Sequence, residues 1–201
     1  YGDHRDLHSF PTRPSSDLGL EFILPGIHNV SNSIAASAVS CYLGLGCKDI
    51  ARGLATFKGI NRRFDVHLRT SKIAYVDDYA HHPEEVSATI GAAKQLFPQR
   101  DLTVVFQPHL FSRTQDFANE FASSLVGAND LILLDIYPAR EKPITGVDSQ
   151  MLLDLCTNPI KEVCSKEELL AVLKNKELDV LLTLGAGDIG TLVEPIKHLL
   201  N

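Results

Sequence analysis

No stretch of this chain approaches the roughly 20 consecutive apolar residues that a bilayer-crossing helix needs, and no basic segment leading into an apolar one resembles a signal peptide. The expectation is a cytoplasmic protein without a membrane partner. Positive charge is not in excess either: 19 Lys and Arg stand against 25 Asp and Glu, for a net charge of -6. A nucleic-acid or anionic-membrane surface needs a clustered excess of Lys and Arg, so neither is expected, although small anions can still bind locally. The four cysteines, Cys41, Cys47, Cys156 and Cys164, contain no C-x-x-C pair. Disulfide and zinc readings are therefore weak, and the cysteines are read as structural thiols. No G-x-x-x-x-G-K-S/T loop occurs, so nothing in the sequence can cradle β- and γ-phosphates in that way.

What is present is a foldable chain of 201 residues, 44% hydrophobic, enough for a real core. Residues 1–19 carry scattered histidines, charges and prolines with no period of 3.6 or 2, and read as a tail, disordered or not native to the rest. At residue 20 the sequence turns abruptly apolar. Small residues (Ala35, Ala36, Ala38, Gly44) interleaved with Ile34, Val39, Tyr42 and Leu43 predict a helix over 31–45 packed closely on a neighbour, with Cys41 among its apolar positions. A second helix is expected over 49–57, before Gly59. A junction near 58–61 then divides a unit at 20–58 from one at 59–201.

Beyond the junction strands and helices alternate. Strands are expected at 64–68, 72–76, 102–106, 130–136, 160–163 and 179–184, with helices at 84–97, 114–126, 149–155, 166–174 and 189–200. Continuous apolar strands such as 103–106 and 131–134 indicate a mostly parallel sheet covered on both faces. The fold class is α/β, Rossmann-like, preceded by a helical segment.

Chemistry-bearing residues cluster where strands end. In Asp77-Asp78-Tyr79-Ala80-His81-His82-Pro83, two acids and two imidazoles meet at a strand-to-helix corner, with Pro83, Glu84 and Glu85 suited to the first turn of a helix. Such corners beyond the carboxyl ends of strands are where open α/β sheets bind ligands. Adjacent histidines meet a tetrahedral metal poorly, so contact with a nucleotide fits this run better than zinc. Gln107-Pro108-His109-Leu110-Phe111-Ser112-Arg113-Thr114 follows another strand, and its His109 and Arg113 could hold a small carboxylate. Asp135-Ile136-Tyr137-Pro138-Ala139-Arg140-Glu141 and Gly185-Ala186-Gly187-Asp188-Ile189-Gly190 occupy equivalent positions. The glycines only partly match a dinucleotide fingerprint and read as a tight turn that brings the last helix onto the sheet and could add N–H groups to the site.

Two further runs lie nearer the N-terminus. Arg62 and Arg63 are either solvated surface or a planar fork for a phosphate or carboxylate. In Gly26-Ile27-His28-Asn29-Val30-Ser31-Asn32 the polar residues either cap a helix, through Asn29 or Ser31, or recognise a flat heterocycle such as adenine through the Asn amides.

Taken together, His28-Asn29-x-x-Asn32, Arg62-Arg63-Phe64, the Asp77 to Pro83 run, Phe106-Gln107-Pro108-His109 with Arg113-Thr114, Asp135-x-Tyr137-Pro138-Ala139-x-Glu141 and Gly185-Ala186-Gly187-Asp188-Ile189 resemble the Mur ligases. The resemblance implies the end of a central ATP-binding domain (20–58) followed by the C-terminal domain of the family (59–201). It implies an ATP-dependent ligase of peptidoglycan precursor synthesis, in which a carboxylate on a UDP-sugar is phosphorylated and the acyl phosphate is attacked by an amino acid. The substrates implied are UDP-N-acetylmuramate and L-alanine, with ATP and Mg2+ as cofactors and the magnesium ligands outside this chain.

By the same resemblance His28, Asn29 and Asn32 lie at the adenine, and Arg63 and Asp78 at the nucleotide across the interdomain cleft. His81, His109 and Arg113 lie near the transferred group and the amino-acid carboxylate; Asp78, His81 and Arg63 form the catalytic set. Where the family often has a second arginine after the His of Q-P-H, this chain has Leu110. Lacking the phosphate loop, the UDP-sugar domain and most of the central domain, the 201 residues are expected to be inactive alone. The other readings are a ligase for recycled tripeptide, a nucleotide-binding module without chemistry and, poorly supported, a dehydrogenase.

Overall fold

The computed structural model describes residues 26–201, so the expected tail 1–19 and the apolar 20–24 lie outside the described residues. Two helices come first: α1 (Ile27–Tyr42) and α2 (Cys47–Thr56). A six-stranded sheet follows, ordered β1-β2-β6-β3-β4-β5, in which β1 is Asp65–Arg69, β2 Ala74–Asp78, β3 Leu102–Phe106, β4 Asp130–Leu134, β5 Ile160–Cys164 and β6 Val180–Leu184. Only β1 runs antiparallel, as an edge hairpin with β2; the other pairs are parallel.

Parallel pairing needs crossovers, and the helices supply them on both faces, as the expected Rossmann-like fold requires. Helices α3 (Pro83–Leu96), α5 (Ala118–Leu125) and α6 (Ser149–Leu155) bury Val86, Ile90, Phe121, Leu125 and Leu152 against Val76, Val104, Phe106, Leu131 and Leu133. On the opposite face, α7 (Leu169–Lys174) and α8 (Val193–Leu200) bury Leu169, Leu173, Val193 and Ile196 against Tyr75, Val105, Ile132 and Leu181. The period-two alternation of side chains along each strand therefore feeds two separate cores. The chain moves outward through β3, β4 and β5 with helices on one face, then returns through α7 to place β6 between β2 and β3. That reversal leaves a crevice at the carboxyl ends of β2, β6 and β3.

Several boundaries differ from expectation for identifiable reasons. Helix α1 begins at Ile27 with Gly26 at its N-cap and no side-chain cap, so neither Asn29 nor Ser31 caps it; Asn29 and Asn32 sit one turn apart within the helix. Its apolar residues Ile34, Val39 and Tyr42 are exposed, as is Cys41, so although α1 contacts α2, the close packing expected of these residues is not found among the described residues. Strand β2 runs two residues further than the apolar pattern, taking in Asp77 and Asp78, because both carboxylates find buried partners. The helix expected over 114–126 is broken at Phe117 (φ -117, ψ 25) into α4 (Phe111–Asp116) and α5, with the Phe117 ring lying edge-on to His82 at 4.9 Å. The last helix opens as a 3-10 turn over Asp188–Leu192. Cys156 and Cys164 are buried thiols, and among the described residues no helix is long and apolar enough to cross a membrane.

Phe121 is fully buried against Phe106, 5.3 Å between ring centroids. Phe121→Ala should cost about 3–5 kcal/mol in urea unfolding, whereas Val126→Ala, at a largely exposed position, should stay within about 0.5 kcal/mol.

Candidate functional site

Asp77 and Asp78 are neighbours in a strand, so their side chains leave on opposite faces of the sheet. Asp77 goes to the α8 side and is fully buried, where its Oδ2 accepts from Arg62 Nε at 2.9 Å and its Oδ1 from the Thr183 hydroxyl at 2.7 Å. Tyr75 continues this chain, with its hydroxyl 3.2 Å from Thr183 Oγ1, and burial pushes the Tyr75 phenol far up. The Arg62 guanidinium also donates to the Gly185 carbonyl at 2.7 Å and lies flat on Gly190, where an added Cβ would come within 2.7 Å of its Cζ. Arg62 is therefore an internal brace. Of the two arginines expected as a fork, it is Arg63 that remains exposed.

Asp78 goes to the α3 side. Its Oδ2 accepts from the Phe64 amide at 2.6 Å and its Oδ1 from the Ala80 amide at 2.7 Å. Burial pushes this carboxyl up, against those two amides, which favour its charged form. A third bond, Tyr79 N to Arg62 O at 2.7 Å, completes the clamp. It holds a segment in which Arg62 (φ 59) and Phe64 (φ 48) both adopt left-handed backbone, at a cost of about 1–2 kcal/mol each. The Asp-Asp-Tyr and Arg-Arg-Phe runs thus form one structural unit.

Along the same rim the histidines converge. His81 Nδ1 lies 3.0 Å from the Tyr79 carbonyl and 3.2 Å from Glu85 Oε2; both are acceptors, so Nδ1 carries the proton in the neutral ring. The His81 and His109 rings meet edge to face at 5.9 Å, and His109 stacks on Tyr137 at 5.6 Å. Arg113 Nη1 sits 3.5 Å from His109 Nδ1 and can only donate, which makes that nitrogen the acceptor. Burial, then the charges of Arg113 and His81, push His109 below its ordinary value, with Glu141 opposing. Glu141 is engaged by the Ser112 amide at 3.0 Å and the Ser112 hydroxyl. Tyr137 is held by a mutual pair of backbone bonds: Tyr137 N to Pro108 O at 2.8 Å and Leu110 N to Tyr137 O at 2.9 Å. His81, His109 and Arg113, singled out from three points of the sequence, therefore share one neighbourhood.

The Gly185 to Gly190 turn closes this neighbourhood from β6. Gly187 fits between Gln107 and Tyr137, where a Cβ would meet Gln107 Oε1 at 2.5 Å and Tyr137 Cβ at 2.7 Å. Gln107 accepts from Ile189 N at 2.9 Å and donates to Asp188, which also pairs with Lys166. The turn brings its helix onto the sheet as expected. The Ile189 amide, however, is spent on Gln107 rather than offered to a ligand.

Beside the rim lies a cleft of about 790 Å³ between the helical segment and α3. It is lined from α1 by Asn29 and Asn32, from the segment before β1 by Ile60 and Arg63, and from the β2–α3 corner by Asp78 and Glu85. Its volume is within the roughly 300–1,000 Å³ of small-molecule sites. Arg63 reaches Glu85 at 3.9 Å and lies over the Tyr79 ring at 5.9 Å. Burial pushes Glu85 up, but the His81 amide and the charges of His81 and Arg63 outweigh it and hold the carboxyl below its usual range. The side chain of His28 lies outside the described residues, so its expected place beside the asparagines is not described. Among the described residues no group of three or more His, Cys, Asp or Glu is arranged to hold a metal ion.

The sequence reading did not find the Arg62–Asp77–Thr183 brace, the role of Glu85 beside His81, or the Gln107–Asp188 pair. The signal for the brace was available in principle: an Asp placed in phase with buried Tyr75 must meet a partner, and Thr183 is the polar residue in an otherwise apolar β6.

Comparison with known proteins adds an independent line. The family model described as Mur ligase, glutamate ligase domain, matches residues 62–187. The UDP-N-acetylmuramate--L-alanine ligase of Flavobacterium johnsoniae is 48% identical over 182 residues, 90% of this chain and 40% of that protein. The protein of the same name from Parabacteroides distasonis is 48% identical over 187 residues, 93% of this chain and 40% of its own length. The crystal structure of the UDP-N-acetylmuramate-alanine ligase of Thermotoga maritima superposes with a TM-score of 0.72 at 28% identity, covering 89% of this chain and 40% of that one. The chain thus spans about two fifths of the length of these relatives.

Two outcomes test the site's electrostatics. Asp77→Ala strands Arg62 and should cost roughly 3 kcal/mol in urea unfolding. His109 binds its proton less readily folded than unfolded, so below its ordinary value of 6.5 the unfolded chain holds the extra proton and stability falls on acidification. His109→Gln removes that part of the slope, and its urea midpoint should fall less than that of the wild type between about pH 7 and pH 5.5.

Proposed function

The chain belongs to the Mur ligase family, and we propose that it is the C-terminal part of an ATP-dependent ligase that joins L-alanine to UDP-N-acetylmuramate through an acyl phosphate. The observation that carries this reading is the cleft in which Asn29 and Asn32 face Arg63 and Asp78 across the hinge. Residues 20–58 would be the end of the nucleotide-binding domain and 59–201 the amino-acid domain. The adenine edge would meet the two asparagines, with His28 beside them. Arg63 would meet phosphate oxygens as a planar donor fork, and Asp78, through the Phe64 amide it holds, would fix the backbone that presents Arg63.

His81, His109 and Arg113 then take the amino acid. Arg113 supplies charge for the carboxylate, and a neutral His109, backed by Tyr137, supplies an N–H beside it. Magnesium would be held by phosphate oxygens and by groups of the complete protein beyond this chain. The same holds for the phosphate-cradling loop, and the 201 residues alone would not turn over. The identity to alanine ligases favours alanine over a peptide as the attacking amine.

The test is a phosphate-release assay on the complete protein with ATP and UDP-N-acetylmuramate. L-alanine should elicit release and the L-alanyl-headed tripeptide should not; release with tripeptide alone would reassign the enzyme to recycling. No release with either, from a folded complete protein, overturns the ligase reading. Arg63→Ala should lower kcat/KM by about 100-fold or more, through loss of a charge-assisted phosphate contact.

A further inference from the structure

Glu85 stands between the two halves of this site. One carboxylate oxygen, Oε1, faces the Arg63 guanidinium at 3.9 Å on the cleft side; the other, Oε2, faces His81 Nδ1 at 3.2 Å and accepts from the His81 amide at 3.0 Å. The carboxylate sits in the first turn of α3, where the helix dipole favours a negative charge. Tyr79 lies between the same groups, with Arg63 over its ring and His81 at its edge, 5.4 Å between centroids. A single carboxylate thus touches the residue assigned to phosphate and the residue nearest the amino-acid site.

We infer that Glu85 is a positioning residue that couples nucleotide binding to deprotonation of the incoming amine through His81. The inference rests on the ligase reading above. With Nδ1–H directed at Glu85 and the Tyr79 carbonyl, the neutral His81 ring keeps Nε2 as its acceptor. An amino acid enters as an ammonium ion, which has no lone pair to attack with. One proton passes from the ammonium nitrogen to Nε2, the N–H bonding pair stays on nitrogen as the lone pair, and the ring becomes an imidazolium beside the Glu85 carboxylate. When phosphate oxygens engage Arg63, its charge is drawn off Glu85, and the full negative charge of the carboxylate then serves His81. The base is strengthened when the nucleotide is in place. The other charged groups around His81 oppose this moderately: Arg113 through His109 raises the cost of a second positive charge, while Glu141, beyond His109, offsets part of it.

The test is the pH profile of kcat/KM for L-alanine in the complete protein, wild type against Glu85→Gln and Glu85→Asp. Because the carboxylate favours the charged ring, its neutralisation should move the acid limb to lower pH. The plateau should fall about tenfold. Glu85→Asp, which keeps the charge, should hold the limb near the wild-type position, and it carries the comparison if the Gln variant folds poorly. An acid limb that stays in place in Glu85→Gln while the wild type turns over overturns this inference alone. A wild type that releases no phosphate overturns the ligase reading, and this inference with it.

Discussion

Two adjacent carboxylates at the end of one strand organise everything around the site. Because β2 sends Asp77 and Asp78 to opposite faces, one acid braces the segment before β1 from the α8 side through Arg62 and the other from the α3 side through the Phe64 amide. Neither anchor alone would fix a segment that spends two non-glycine residues in left-handed backbone. Together they hold Arg63, the residue between the anchors, with its side chain outward. The result is a cation presented to the cleft on a backbone clamped from both sides.

That arrangement explains how a charge-rich corner can be buried. A buried ion pair is weak evidence of stability in itself, since desolvation cancels much of the attraction. Here its value is geometric: Asp77, Thr183 and Gly185 fix the plane of the Arg62 guanidinium, and Gly190 is small enough for that plane to lie on the 3-10 turn after β6. The segment before β1, β2 and β6 are therefore tied at one point. The cleft opens directly beside it.

The layered sheet was legible in the sequence because its strands are apolar on both sides and its helices begin with Pro83, Glu84 and Glu85 or end near glycine; those signals are local. The gathering of His81, His109 and Arg113 was legible only as a likeness of ordered motifs, since nothing in the spacing of 81, 109 and 113 states that β6 inserts between β2 and β3. The extent of β2 was misjudged because a pattern of apolar residues cannot count an Asp as interior until its partner, Arg62 at fifteen residues' remove, is known to fold back on it. For the same reason the two arginines looked alike in sequence. The break at Phe117 was invisible because each half has helical periodicity of its own, and only the packing against His82 and Phe121's neighbours marks where one axis ends.

Leu110 shows how the scaffold and the chemistry are separated. It occupies a left-handed position (φ 73), costly for a leucine as for an arginine, and its backbone is fixed twice: its amide donates to Tyr137 O, and its carbonyl accepts from the Thr114 hydroxyl at 2.8 Å. The bond to Tyr137 also holds the ring on which His109 stacks, and the bond to Thr114 starts the helix that carries Arg113. Both His109 and Arg113 are placed by the main chain of residue 110, whatever its side chain. The side chain at this position can therefore vary without displacing His109 or Arg113, and its substitution changes the wall beside them rather than the frame that places them.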